Sequence, residues 1–113
     1  MEQGASAIES ARSTESARFV EGLERGDLDL LRAVPKGDLH HHSWMGGRRV
    51  YVERRLGVQI PPPPRRFQTF DELLSWNLGT FWPHVSTAET REVAIEAAFV
   101  QAAQDGVVVL ATS

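Results

Sequence analysis

The chain has no cysteine among its 113 residues, which removes disulfides, thiolate zinc sites and cysteine nucleophiles together. Any metal site would have to be built from histidine and carboxylate. Long apolar runs are missing too: Val107 to Ala111 falls far short of the ~20 residues that a membrane-spanning helix requires. The opening Met1-Glu2-Gln3-Gly4 has neither the basic start nor the apolar core of a secretory signal, so no membrane partner is expected and the cytoplasm is the expected compartment. There is no excess of positive charge. A net charge of -3 argues against a nucleic-acid partner. Arginines gather at Arg48, Arg49, Arg54, Arg55, Arg65 and Arg66, but aromatic residues are not interleaved with them as a base-stacking platform needs.

What is present is the balance of one globular domain, 42% hydrophobic and 24% charged. Residues 1–14 are small and polar and read as a disordered lead. Residues 15–33 read as N-terminal helices, with Phe19 and Leu23 one turn apart, Gly26 as a stop and Asp27 as the cap of a second short helix. Pro35 closes that pair, and an extended segment follows from Lys36 to His42. Gly46-Gly47 then turns the chain into a helix ending at Leu56 with Gly57 as its cap. The four prolines Pro61 to Pro64 form a stiff polyproline connector, which is also the form that proline-binding modules read.

Thr69 and Glu72 have capping-box spacing, and Ser86 and Glu89 repeat it before a helix apolar on most of its circumference. Val107 to Ala111 shows no alternation, as expected of a strand covered on both faces of a parallel sheet. The pattern is α/β, mostly helical with two short parallel strands. Two strands cannot cover both faces of such a sheet, so residues 34–113 are expected to be the incomplete N-terminal part of a larger domain.

The chemistry is concentrated in Asp38-Leu39-His40-His41-His42. On a strand, His40 and His42 share a face with Asp38, and His41 points the other way. Two imidazoles on one strand are a rigid pair of metal ligands, but zinc normally takes three or four from the protein. His84 follows Trp82-Pro83 and reads as a surface or packing residue. The plain alternative for the triple is a polar loop whose histidines happen to adjoin.

The segment Val34-Pro35-Lys36-Gly37-Asp38-Leu39-His40-His41-His42, the following glycines, and Arg54-Arg55-Leu56-Gly57-Val58 resemble the start of the adenosine deaminase family. Phe67 and Phe70, the Ser-Thr-Ala-Glu helix start and the Asp-Gly-Val-Val strand extend the resemblance to about Ala111. It implies the N-terminal portion of a (β/α)8 TIM-type barrel, with His40 and His42 as the first two Zn²⁺ ligands. It also implies zinc-dependent hydrolytic deamination of adenosine or a related purine nucleoside, a small-molecule substrate. No catalytic residue of the family falls within the chain, so the chain alone is expected to be inactive. Ser43, Trp44 and Met45 depart from the family pattern after the second histidine, which leaves the substrate-binding residues unassigned. Asp-Leu-His-x-His-Ser also resembles metal-dependent phosphoesterases of the polymerase-and-histidinol-phosphatase type, and a non-catalytic truncated chain is a third reading.

Overall fold

A computed structural model describes residues 2–113, apart from the side chains of 2, 3, 8 and 11–13. The elements are α1 (Glu2–Arg25), α2 (Leu28–Ala33), β1 (Lys36–His41), α3 (Arg49–Leu56), α4 (Phe70–Trp76), a π-helical turn Asn77–Phe81, α5 (Trp82–Val85), α6 (Ala88–Gln104) and β2 (Val107–Thr112). They fall into two compact units, Met1–Leu39 with Ala102–Ala111, and His40–Gln101 with Thr112–Ser113. None of the described helices is long and apolar enough to cross a membrane.

In the first unit α1 runs through residues 2–14, where composition alone predicts disorder; Met1 lies outside the described residues. Alanine, glutamate and arginine are good helix formers, and they carry the helix without an apolar stripe. Asp27 caps α2 as its sequence position implies, accepting from the Leu30 amide at 3.0 Å. The Lys36 ammonium then donates to three backbone carbonyls: Leu31, Val34 at 2.7 Å and Asp105 at 2.7 Å. Its amide donates to the Gly106 carbonyl at 2.9 Å. Gly106 has φ +80°, and a Cβ there would strike the Arg32 carbonyl and lie 3.0 Å from that of Val34. Only glycine satisfies both the left-handed backbone and this close approach.

β1 and β2 pair in parallel as a two-stranded sheet. Their register is marked by Lys36 to Gly106 at one end and by the Ser113 amide donating to the His41 carbonyl, 3.0 Å, at the other. The (β/α)8 TIM-type barrel that the resemblance implied is therefore corrected: the chain is mostly helical with two parallel strands and forms no barrel. Closure needs enough tilted, staggered strands to bring the last edge back to the first, and two cannot do so. The expected cover on both faces of β2 is missing as well, since Val108 and Val109 are 71% and 58% exposed.

The second unit holds a core of Val52, Ile60, Phe81, Val85, Ala94 and Ala97, edged by Trp44, Tyr51, Trp76 and Trp82. α3 ends at Gly57 in the left-handed conformation, as its position implies. The Thr69 hydroxyl caps the helix by accepting from the Glu72 amide at 3.2 Å, but the Glu72 carboxylate accepts from the Gln68 amide at 2.6 Å, one residue before the cap, so only half of the first capping box forms as expected. The second is shifted by one residue: Thr87 and Thr90, rather than Ser86 and Glu89, exchange amide bonds of 3.2 Å each. α6 consequently buries its alanines, Ala94, Ala97, Ala98 and Ala102, and leaves Phe99 51% exposed. That small-residue face lets Gly47 come so close that a Cβ on it would lie 2.6 Å from the Ala97 carbonyl carbon and the Ala98 nitrogen.

Arg55 pairs with Glu96 at 2.9 Å. This bond, and a second from Tyr51, hold the Glu96 carboxyl below its ordinary range. A depressed pKa contributes stability above the unfolded value of about 4.3, which is lost as pH falls through the folded value. The Glu96→Gln variant should therefore show a smaller fall in melting temperature than the parent between about pH 7 and about pH 3, measured by circular dichroism. Replacing the ammonium that gathers three carbonyls, Lys36→Met, should lower unfolding free energy by about 2 kcal/mol, read from the urea midpoint.

Candidate metal centre

The site begins with the alternation of β1. Along Lys36–His41 the burial order is half-buried, exposed, half-buried, exposed, exposed, half-buried. His40 and His42, the latter one residue past the end of β1, are both exposed, whereas His41 is half-buried. The His41 ring lies where a Cβ on Gly46 would fall, which explains why a glycine follows the turn.

The His40 and His42 rings stand 5.0 Å apart between centroids, inclined at 71°. Two imidazoles on one tetrahedral zinc, each nitrogen at ~2.0 to 2.1 Å, have centroids about 5 Å apart, and the observed edge-to-face pair has that centroid spacing. The His42 Nδ1 meets the Ser113 hydroxyl at 3.4 Å. Only with Nδ1–H donating to the hydroxyl oxygen does this contact leave the Nε2 lone pair free for a metal.

Ser113 also anchors the segment that carries the ring. Its carbonyl accepts from the Ser43 hydroxyl at 3.1 Å and from the Ser43 amide at 3.4 Å. The chain then turns, with the Met45 amide donating to the His42 carbonyl at 3.0 Å. Trp44 is drawn inward: its ring lies 4.8 Å from Trp82, edge to face, and 6.4 Å from Phe81, stacked. Where the family pattern departs, this chain thus uses Ser43 and Trp44 to fasten the turn. Sequence reasoning passed over Ser113; the parallel pairing of the two strands is the signal that would have located it.

The structure does not extend the pair to a full ligand set. Among the described residues no three or more histidine, aspartate or glutamate side chains gather around one point. Asp38 lies two residues earlier on β1, half-buried, and His84 sits in α5, half-buried beside Val85 of the core. A cleft of about 140 Å³ is lined by Met45, Gly47, Arg49, Pro63, Trp76, Asn77 and Phe81. That is smaller than the ~300 Å³ at which small-molecule sites begin.

No family model matches the chain, and neither a curated protein nor a solved structure is significantly similar to it. The ring geometry has its own check. Exposed His40 and His42 should react with diethyl pyrocarbonate several-fold faster than His41, followed by peptide mass spectrometry; equal rates at all three would contradict the inward placement of His41.

Proposed function

We propose that His40 and His42 are two zinc ligands of a cytoplasmic hydrolase that removes the amino group from adenosine or a related purine nucleoside. The observation that carries the metal part is the 5.0 Å separation of the two exposed rings, His40 on β1 and His42 one residue beyond its end. The substrate class rests on the likeness of Val34 to His42 to the adenosine deaminase opening. Zinc, when bound, supplies Lewis-acid activation of a water for attack on the carbon bearing the amine.

The protein's own contribution is positional. β1 carries His40, and His42 follows one residue beyond its end, where its Nδ1 meets the Ser113 hydroxyl. Trp44 holds the turn after the histidines against the aromatic core, so the His42 backbone is tethered on both sides. The phosphoesterase reading draws on Ser43. Its hydroxyl is committed to the Ser113 carbonyl, which gives that residue a structural task here.

Isothermal titration with Zn²⁺ near neutral pH tests the metal. We expect one ion per chain, with affinity about tenfold or more weaker in His40→Ala and in His42→Ala and unchanged in His41→Ala and His84→Ala. Zinc binding indifferent to His40→Ala would remove the reading. Because residues 1–113 alone are expected to be inactive, the substrate is tested by ammonia release from adenosine by the zinc-loaded full-length protein, abolished by His42→Ala; phosphate release from a phosphomonoester in its place would overturn the deaminase assignment.

A further inference from the structure

The proposed metal pair makes no use of Pro61-Pro62-Pro63-Pro64-Arg65-Arg66. Each proline fixes its own φ near -65°, and each of Ile60, Pro61, Pro62 and Pro63 precedes a proline and is pushed to extended backbone. The stretch therefore has the polyproline II helix as its resting conformation. In the structure no peptide bond among the described residues is cis, residues 61–64 belong to no helix, strand or turn, and all six residues are exposed. The chain bends only at Arg65.

Both ends are tied down. Ile60 is 1% exposed within the core. Its amide donates to Glu53 at 2.8 Å, and its carbonyl accepts from Arg49 at 2.6 Å, the same arginine that pairs with Glu53. At the far end the Phe67 ring lies 6.4 Å from Trp76, and the Gln68 amide is held by Glu72. Six exposed residues thus stand between two anchors, with little conformational freedom left to lose on binding.

Polyproline II has three residues per turn, so Pro61 and Pro64 lie on one edge. Arg66 follows two residues beyond Pro64, completing Pro-x-x-Pro-x-Arg. Neither Arg65 nor Arg66 makes an ion pair or hydrogen bond among the described residues. In a chain of net charge -3, two unpaired guanidinium groups beside a proline edge form a local cationic end. Grooves between aromatic side chains accept such proline edges, and a carboxylate at the groove's end selects the arginine.

We infer that Pro61–Arg66 is a preformed docking ribbon for a protein module of the SH3 type, with an aromatic-lined groove and an acidic pocket that takes Arg66. The ribbon functions whether or not the histidine pair holds zinc. Its orientation is set by the cation, which enters the acidic pocket only when the chain runs from Pro61 toward Arg66.

The test is titration of the intact chain with a recombinant SH3 domain of the class that reads Pro-x-x-Pro-x-Arg, followed by calorimetry. We expect saturable one-to-one binding, about tenfold or more weaker in the double variant Pro61→Ala/Pro64→Ala and in Arg66→Glu. These residues are exposed, so unchanged circular dichroism will show that the fold is intact. A synthetic peptide of residues 58–68 should bind more weakly than the chain because it lacks the anchors. Absence of binding by the parent chain, or binding lost with Arg66→Glu but indifferent to the double proline variant, would overturn the inference; the latter would reduce the segment to a simple cationic patch.

Discussion

The Lys36 ammonium is the interaction on which the sheet depends. Three carbonyls, from the end of α2, from Val34 and from the turn between α6 and β2, converge on one charge. Buried or half-buried carbonyls without donors are costly, and a single long side chain serves all three. The neighbouring Gly106 completes the joint, because its left-handed backbone brings the start of β2 onto the Arg32 and Val34 carbonyls. With the first residues of both strands fixed there, the parallel register follows, and it ends by placing Ser113 beside His41 and His42.

The inward turn of His41 between exposed His40 and His42, the Gly57 stop, the Asp27 cap and the Thr69 cap were legible because each rests on local chemistry within a few residues. What sequence left unread depends on partners far along the chain. Trp44 looked like a departure from a substrate-binding pattern, and its role became plain only from the Phe81 and Trp82 rings. The start of α6 was misplaced by one residue because Ser86-Thr87 offers two adjacent hydroxyl caps, and Thr90 supplies the reciprocal bond only to the second. The unbroken apolar run of β2 implied cover on both faces, yet apolar content reports a residue's preference and cannot supply the neighbours that would satisfy it.

The alanine face of α6 shows how small residues can be as informative as large ones. The helix reads as apolar on most of its circumference, but the buried positions are Ala94, Ala97, Ala98 and Ala102. Side chains without rotamers let a backbone, here that of Gly47, lie directly on the helix. The turn after the histidines is therefore seated on main chain and on aromatic rings, both of which have little slack.

The two strands meet across long stretches of chain: Lys36 reaches Asp105 over 69 residues and Ser43 reaches Ser113 over 70. Closing a loop of that length costs about 4 kcal/mol of chain entropy before any contact offsets it. The helices between need no such closure and can form on their own timescale. Kinetically, Ser113 is thus among the last groups expected to reach its place beside His42, after the helices between the strands have formed.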